Sequence, residues 1–419
     1  MSEEQRIIYF TQEEISTKPP CVSEVLILKD LGVDVRVLTT WCNAATQKLF
    51  RERGIPCTLM RDGPSTRKSG RSQLLRKAAN AVRYQSMLHR YFRANADSRT
   101  AVWLGTEKSL MSYPRFWKQQ NRLIQNALEF YEKPDYQKRM KNYTAFADVT
   151  TACESHRAAL MKQYWHLRED PFVLPNKPYL HPGKRNLEGS TPENRERIRQ
   201  MAGKKVLLYQ GIFSPDRDLM PLAKALAAYE EKSRSEETRG GHDSDVTVSG
   251  ECLESVGHSG EHPENVRNSG VHDPLWLVLI GSCDNEFVSK LKEAYPYTMN
   301  LGFVPAPLHL EITSHARYCV AYYKDNTLNN RYCAPNKIYE AAGFGIPVLA
   351  NQVPGLTSTV GASGAGRCVN FDDPAAVAEA LDDMEEHYDR YSAAARKFFD
   401  DTDNADTVRR IVQRVFAQQ

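Results

Sequence analysis

A segment near residue 340 holds an amide, an ammonium and a carboxylate at helical spacing, in the run PNKIYEAAGFGIPVLA of residues 335–350. Pro335 suits the start of a helix, because its missing N–H group would have no partner there. Asn336 and Lys337 occupy the first turn, where the helix dipole attracts an anion. Glu340 follows one turn later, where a carboxylate accepts hydrogen bonds from sugar or ribose hydroxyls. An ordinary surface helix has the same residue types, so both interpretations stay open.

The residues that follow predict the end of this helix and a buried strand. Gly343 and Gly345 are typical of a helix C-terminus. Residues 346–350 form an apolar run between turn residues, as in a central strand of a parallel sheet. Similar alternation of strand-like and helix-like segments continues along both halves of the chain. It predicts an α/β fold with doubly wound parallel sheets, in which ligands bind beyond the carboxyl ends of the strands.

The alternation also predicts where the chain divides. We predict strands at 6–11, 33–39, 55–60, 100–104, 147–151 and 172–176, and helices at 22–31, 44–53, 154–164 and 219–229. An N-terminal domain over 1–180 is followed by a polar linker at 181–203 and a C-terminal domain over 204–400. Residues 231–273 are rich in Glu, Ser, Gly, His and Asp, which predicts a disordered insert.

The segment at 335–350 resembles the donor-site helix of GT-B glycosyltransferases, especially those of glycosyltransferase family 4. Their pattern is Pro-Asn-Lys-hydrophobic-aromatic-Glu, then small residues and Gly-x-Pro-Val. The resemblance extends over most of 203–385. Further segments that resemble the family's C-terminal domain follow in the same order, at 205–211, 276–281, 300–304, 318–323 and 366–370. The resemblance implies two Rossmann-like domains facing across a cleft, with the last helix, within 405–419, crossing back onto the N-terminal domain.

Roles for individual residues follow from the resemblance. It implies that Gly211 approaches a donor diphosphate and that Arg217 and Lys337 act in catalysis by stabilising the leaving nucleoside diphosphate. It implies that Glu340 holds the ribose. The other expected donor-binding residues are Phe303, Val304, Tyr332, Pro335 and Asn336.

For two of these positions the sequence also allows a different role. Many family members have a first glutamate eight positions before Glu340, where this chain has Tyr332. Tyr332, Cys333 or Asn336 is therefore expected to line the sugar pocket instead. An ion pair with Asp216 or Asp218 is an alternative role for Arg217. Asp216-x-Asp218 also matches a metal motif of GT-A enzymes, but two Rossmann-like halves do not suit that fold, so no metal site is expected.

The N-terminal half departs further from the family. Its first strand–helix loop, residues 11–20, lacks the glycine pair that many members carry, and Gly105-Thr106-Glu107 stands where a histidine often follows the fourth strand. Acceptor recognition therefore cannot be carried over. Lys18, Thr106 and Glu107 are positional candidates for the acceptor side.

Positive charge is concentrated between Arg61 and Arg122, which hold 14 basic residues against 3 acidic ones. Apolar residues recur in the same stretch: Leu74, Leu75, Tyr84, Met87, Leu88, Tyr91 and Phe92. Such a stripe fits an interfacial helix on an anionic membrane or facing a lipid-linked diphosphate, and equally a core helix with a basic solvent face. Nucleic acid is the least favoured partner, because no recognised binding motif accompanies the charge.

Composition is that of a globular protein. The 419 residues are 41% hydrophobic and 26% charged with a net charge of +3, and the 9 cysteines lack metal-type spacing. The polar start is unlike a secretory leader, and no apolar run approaches the ~20 residues that span a bilayer. These features predict a cytoplasmic protein, peripheral on the inner face of the membrane if the basic stretch binds lipid.

Together, the resemblance implies a hexosyltransferase-type glycosyltransferase (EC 2.4). It would move sugar from a nucleoside-diphosphate sugar to a glycan or lipid-linked acceptor in cell-surface polysaccharide or glycoconjugate synthesis. Retention of configuration without cofactor or metal is implied as well. Two other functions stay open, a sugar-nucleotide epimerase of the same fold and a non-catalytic glycan-binding or scaffold protein.

Overall fold

The computed structural model describes residues 5–60, 71–114, 121–213, 217–240, 273–282 and 284–417. Within these residues, the N-terminal half contains a parallel sheet of seven strands. The strands are β1 (Arg6–Glu14), β2 (Asp34–Trp41), β3 (Cys57–Leu59), β4 (Thr100–Leu104), β5 (Arg122–Ala127), β6 (Val149–Ala152) and β7 (Phe172–Val173). Their order, β3-β2-β1-β4-β5-β6-β7, is that of a doubly wound sheet.

Helices connect these strands. They are α1 (Pro19–Asp30), α2 (Ala44–Glu52), α3 (Arg71–Asn95), α4 (Glu107–Ser112), α5 (Pro134–Thr144) and α6 (Ser155–Trp165). The predicted strands and helices of this half are present with shifted ends. β5, α4 and α5 were not predicted. α1 begins earlier than expected, because Pro19 fits the first turn of a helix.

The C-terminal half repeats this architecture around a parallel sheet of six described strands. The strands are β8 (Lys205–Gln210), β9 (Leu275–Ile280), β10 (Thr298–Asn300), β11 (Tyr318–Ala321), β12 (Val348–Asn351) and β13 (Gly366–Val369), in the order β10-β9-β8-β11-β12-β13. The helices are α7 (Pro192–Met201), α8 (Met220–Gly240), α9 (Asn285–Ala294), α10 (His309–Thr313), α11 (Leu328–Arg331), α12 (Asn336–Ala342), α13 (Pro354–Leu356), α14 (Pro374–Glu386), α15 (Tyr388–Asp401) and α16 (Asn404–Phe416).

Two predicted irregular segments contain helix. The linker includes α7, which Thr191 caps by accepting a hydrogen bond from the backbone N–H of Asn194. A Thr-Pro start is a recognised helix signal. α8 continues to Gly240 instead of ending near Tyr229, so the first part of the predicted insert is helical. The rest, 241–272, lies outside the described residues.

Both sheets are covered on two faces, as their continuous apolar runs predict. On β1, Ile7 and Tyr9 belong to one buried cluster, and Ile8 with Phe10 belongs to the cluster on the opposite face. Alternate residues of β8 divide between two clusters in the same way. The described side chains of the apolar stripe on α3 pack inward, with Tyr84, Leu88 and Phe92 almost fully buried.

The described part of the stripe on α3 therefore packs into the protein core, as one of the two interpretations expected. Arg83, Arg90 and Arg93 lie exposed on its other side. The side chains of Leu74 and Leu75, and basic residues such as Arg61, Arg67, Lys68, Arg115 and Lys118, lie outside the described part. Among the described helices, none has both the length and the hydropathy to span a membrane.

The last helix returns to the first domain. α16 packs against α1, and its Val408, Ile411, Val412 and Val415 belong to the same buried cluster as Ile7 and Tyr9. Its apolar side chains recur at helical spacing on one face, which leaves polar residues towards solvent. The chain therefore crosses between the two halves twice.

Candidate functional site

A cavity of about 950 Å³ lies between the two halves, at the carboxyl ends of strands from both sheets. Glu14 at the end of β1 and Glu129 after β5 contribute from the N-terminal half. Gly211 after β8 and Gly281 after β9 contribute from the C-terminal half. Parallel sheets place ligands at this edge, and clefts between domains are common ligand sites.

Glu340 of α12 is a buried carboxylate in the wall of this cavity. Gln210 Nε2 donates to its Oε2 at 2.5 Å, and His309 Nε2 lies 3.1 Å from its Oε1. Gln210 is held in turn by Thr313, whose hydroxyl donates to Gln210 Oε1 at 2.7 Å. These contacts fix the carboxylate, while its remaining lone pairs can accept further hydrogen bonds.

Opposing effects act on the pKa of Glu340. Burial alone would raise it, but His309 and then Lys337 outweigh burial and hold the pKa below its ordinary value. The group is therefore ionised at neutral pH and can accept hydrogen bonds from ligand hydroxyls.

Lys337 lies one turn before Glu340 on α12, and its ammonium group is buried beside Gly211. Its Nζ is 4.0 Å from the centre of the Tyr209 ring. Burial, reinforced by nearby Arg217, lowers the pKa of Lys337 to about 7. Such a lysine is poised to take up a proton when an anion enters the cavity.

Arg217 is the second cationic side chain that lines the cavity from the C-terminal half. Its guanidinium stacks on Tyr323, with Cζ 3.8 Å from the ring centre. Asp218, one predicted alternative partner, instead accepts a hydrogen bond from the backbone N–H of Met220 at the start of α8. Asp216, the other, lies outside the described residues.

Two glycines bring backbone close to the ammonium group of Lys337. Gly211 and Gly281 have φ of 140° and 142°, a region that other residues rarely adopt. A Cβ atom on Gly211 would lie 3.2 Å from Lys337 Nζ, and one on Gly281 would lie 1.7 Å from the Gly211 carbonyl oxygen. Both positions therefore require glycine for the turn to sit against the cation.

The other predicted donor residues are divided between the cavity and its surroundings. Phe303, Val304, Pro335 and Asn336 line the cavity, and Phe303 is 63% exposed. Pro335 immediately precedes α12 with an extended backbone and makes no side-chain capping hydrogen bond, so it lies just outside the first turn.

Tyr332 is placed outside the lining. Its ring stacks on His156 of the N-terminal half, with centroids 5.2 Å apart. It therefore contributes to contact between the domains, while Cys333 after it lines the cavity.

The three acceptor-side candidates also lie away from the cavity wall. Lys18 pairs with Glu13 at 3.7 Å, and Thr106 accepts a hydrogen bond from the backbone N–H of Ser109 at the start of α4. Glu107 is buried and accepts a hydrogen bond from the backbone N–H of Glu129 at 2.6 Å. Burial raises the pKa of Glu107 to about 7.

Contacts through α11 connect the two halves at the cavity. Asn329 donates from Nδ2 to Glu129 Oε2 at 2.7 Å, and its Oδ1 accepts from the Phe130 backbone N–H at 2.9 Å. Arg157, buried in the N-terminal half, donates to the carbonyl of Asn329 at 2.5 Å and to that of Leu128 at 2.7 Å.

Sequence reasoning missed several residues that build this site. Gln210 and His309 hold Glu340, while Arg157 and Asn329 join the two halves. Gln210 had one usable signal, since it ends a predicted strand immediately before the glycine turn. The other three lie in segments without a local motif.

No protein-family model and no curated protein matches this sequence. Solved structures are similar over nearly the whole chain. The HepE protein of Anabaena, in its structure with UDP and glucose, has a TM-score of 0.62 and 14% identity, covering 98% of this chain and 99% of its own. Sucrose-phosphate synthase from Thermosynechococcus elongatus has a TM-score of 0.59 and 14% identity, covering 99% and 97%.

A third similar structure is a putative UDP-N-acetylglucosamine 2-epimerase from Listeria monocytogenes, with a TM-score of 0.55 and 10% identity, covering 99% of this chain and 97% of its own. These likenesses agree with the two parallel sheets and the cavity between them. This chain therefore has the GT-B fold, with two Rossmann-like domains facing each other across a cleft.

Proposed function

We propose that this protein is a glycosyltransferase that moves a sugar from a nucleoside-diphosphate sugar to a glycan or lipid-linked acceptor. One observation carries the proposal. Arg217, Lys337 and Glu340 line a single interdomain cavity, with the Gly211 turn against the Lys337 ammonium group. Two cations and a fixed carboxylate suit the diphosphate and the ribose of one ligand.

The proposal gives each part of the donor a position in the cavity. The diphosphate of the donor lies between Gly211 and the two cations, its ribose hydroxyls donate to Glu340, and its base packs on Phe303 and Val304. Two structures of HepE, which cover 98% and 99% of this chain, contain UDP with glucose and UDP-glucose, respectively. These ligands support a donor of this kind.

The reaction proposed is transfer with retention of configuration, as in glycosyltransferase family 4. Lys337 and Arg217 stabilise the negative charge that grows on the leaving diphosphate. This stabilisation lowers the barrier because the charge on the diphosphate is greater in the transition state than in the bound donor. The leaving phosphate takes the acceptor proton, so neither a protein base nor a metal is needed. The sugar passes through an oxocarbenium-like transition state.

A cellular setting follows from the same proposal. We place the enzyme in the cytoplasm, in the synthesis of a cell-surface polysaccharide or glycoconjugate. The exposed arginines of α3, with the basic residues on either side, would hold it at an anionic membrane surface. Their attraction would weaken as salt is added.

A donor screen tests the function directly. Thermal shift with UDP-, GDP- and ADP-sugars identifies the donor, because a ligand that binds only the folded protein raises its melting temperature. Release of nucleoside diphosphate is then measured with and without glycan acceptors. Acceptor-dependent release supports the transferase. Binding without release under any acceptor, and without interconversion of the donor sugar, would instead indicate a non-catalytic protein.

A sugar-nucleotide epimerase is the second candidate, favoured by the likeness to the putative epimerase from Listeria monocytogenes. The His309–Glu340 pair places an imidazole in the cavity, as acid–base chemistry requires. Interconversion of the donor sugar without an acceptor, followed by NMR, would identify this activity.

Replacing Arg217 tests the assignment of charge stabilisation. Arg217→Ala is expected to lower kcat about 10- to 100-fold and donor affinity less, because the cation acts mainly on charge that develops in the transition state. Steady-state kinetics with the screened donor checks this. Arg199→Ala removes an exposed arginine of the linker helix α7, which does not line the cavity, and serves as control. An unchanged kcat in Arg217→Ala would contradict the assignment.

A further inference from the structure

The first crossing between the domains, residues 174–184, runs along the helix that carries Glu340. Asn176 donates from Nδ2 to the carbonyl of Ala334 at 3.0 Å, two residues before α12 begins. Further along, His181 Nε2 lies 3.0 Å from the backbone carbonyl oxygen of Glu340, near the end of α12. The first crossing is therefore bonded to the chain at both ends of this helix.

The imidazole of His181 is the donor in the second of these contacts. Its Nδ1 accepts a hydrogen bond from the backbone N–H of Gly183 at 3.0 Å, so the hydrogen of the neutral ring is on Nε2. Burial lowers the pKa of His181 to about 4, which keeps the ring neutral at pH 7. Nε2 therefore donates its hydrogen to the carbonyl of Glu340.

The carbonyl of Glu340 needs this donor because the helix ends there. In a continuing α-helix it would accept from the N–H of Phe344, but that N–H bonds the carbonyl of Ala341 at 3.0 Å. A histidine near the C-terminus of a helix can take the place of the missing backbone donor. His181 therefore caps the turn that holds the Glu340 carboxylate in the cavity wall.

Gly343 leaves room for the imidazole. Its backbone is helical, with φ of −60°, so the turn itself does not require glycine. A Cβ atom at Gly343 would lie 2.6 Å from His181 Cε1 and 2.7 Å from Nε2, closer than such atoms approach in proteins. The rings of Phe344 and Phe399 pack on the imidazole, with centroids 4.2 and 5.0 Å away. These neighbours fix the position of the ring as well as its hydrogen bond.

The second crossing, between α15 and α16, is attached to the first one. Lys177 donates from Nζ to the carbonyls of Phe399 and Thr402, at 2.5 and 2.8 Å. Asn404 donates from Nδ2 to the carbonyl of Pro175 at 2.7 Å. The two connections between the domains are therefore joined to each other through contacts that do not involve α12.

We infer that His181 is a positioning residue for the donor site, which holds Glu340 at a fixed place relative to the first crossing between the domains. The inference rests on the proposed function, in which the Glu340 carboxylate binds the donor ribose. Donor affinity then depends on a ring that does not line the cavity. A bound donor in turn stabilises the first crossing, because coupling between two sites acts in both directions.

Nucleotide affinity in variants of His181 tests the inference on the full chain. UDP, GDP and ADP are titrated by isothermal calorimetry, and the nucleotide that binds the wild type most tightly is kept as the probe. His181→Ala is expected to raise its dissociation constant about tenfold, because Glu340 loses the hydrogen bond that positions it. His181→Gln places an amide N–H as many bonds from the backbone as Nε2, so it should restore most of the affinity.

Lys177→Met is the matched control. It removes the hydrogen bonds between the two crossings and leaves the contact of His181 with Glu340 in place. Urea unfolding gives the stability of each variant. We expect Lys177→Met to lose stability and to keep an affinity close to that of the wild type. An equal loss of affinity in Lys177→Met and His181→Ala would show a general effect on the fold and would overturn the inference.

Gly343→Ala tests the same contact from the other side. In the wild-type protein the added methyl group displaces the imidazole, and it should weaken the probe about as much as His181→Ala does. In the His181→Ala protein the space is empty, so Gly343→Ala should change the affinity little. Fully additive effects of the two substitutions would show that they act separately, which is contrary to the inference.

Hydrogen exchange provides a measurement that a merely structural role would not change. Saturating probe should slow amide exchange in residues 174–184 of the wild type and of His181→Gln, but not of His181→Ala. Unchanged affinity in His181→Ala overturns the inference, while binding by the wild type leaves the proposed function standing. Absence of binding of all three nucleotides by the wild type overturns both.

Discussion

Lys337→Met is expected to lower the rate of sugar transfer by about 100- to 1,000-fold, the size of effect seen when one stabilising group is removed from a preorganised site. Methionine keeps most of the length and apolar volume of the side chain but removes the charge that lies over the Tyr209 ring and against the Gly211 turn. The measurement is single-turnover release of nucleoside diphosphate from the bound donor.

The same lysine makes donor affinity depend on pH. Its pKa in the empty cavity is lowered to about 7, and a bound diphosphate raises it by favouring the charged form. Affinity is therefore highest below pH 7. It falls by about tenfold per pH unit from 7 up to the pKa of the occupied site. The fall is absent in Lys337→Met, which isothermal titration across this range would reveal.

Two controls accompany this experiment. Lys292→Met removes an exposed lysine from the same domain and should keep both the rate and the pH profile. Lys337→Arg keeps a positive charge that does not titrate, so it should bind donor with a flat pH profile. A Lys337→Met protein with the wild-type profile would show that another group titrates.

Glu340→Ala is expected to weaken donor binding by about 10- to 100-fold, because hydrogen bonds to a charged group contribute about 1.5–3 kcal/mol. It should also lower the free energy of unfolding by about 1–3 kcal/mol, since the buried amide of Gln210 loses its acceptor. Titration of the donor and urea unfolding measure the two effects separately.

Matched variants separate the effect of Glu340 on donor affinity from its effect on the stability of the fold. Glu340→Gln keeps the shape and one acceptor oxygen, so it should recover most of the stability and little of the affinity. Thr313→Val removes the hydroxyl that holds Gln210 without touching the carboxylate, and should cost stability with a smaller change in affinity. Equal donor affinity in Glu340→Ala and wild type would show that Glu340 does not bind the donor.

The architecture could be predicted because it is encoded locally. Alternating apolar runs and glycine-terminated helices predicted most strands of both sheets, and the GT-B arrangement is confirmed by the fold and its solved relatives. Lys337 and Glu340 could be found for the same reason, since they lie on one short helix with a recognisable pattern. The chemical roles assigned to them stay predictions.

The other features of the fold and the site could not be predicted, because they depend on contacts between segments that are distant in the sequence. His309 reaches Glu340 only because α10 lies beside α12 in the folded chain. The apolar stripe of α3 fits a core and a membrane equally well until its neighbours are known, and those neighbours include Phe10 and Tyr113. Lys18 was a candidate by position alone, and its pairing with Glu13 could not be read from the spacing.

The return of α16 to the first domain affects how the protein is made. Val408, Ile411 and Val415 fill a buried cluster with side chains of β1, yet the ribosome adds them after the entire second domain. The N-terminal domain therefore leaves the ribosome with part of its interior uncovered and is completed only after the second domain has been synthesised. A premature stop codon before residue 404 would damage the half of the protein that is synthesised first.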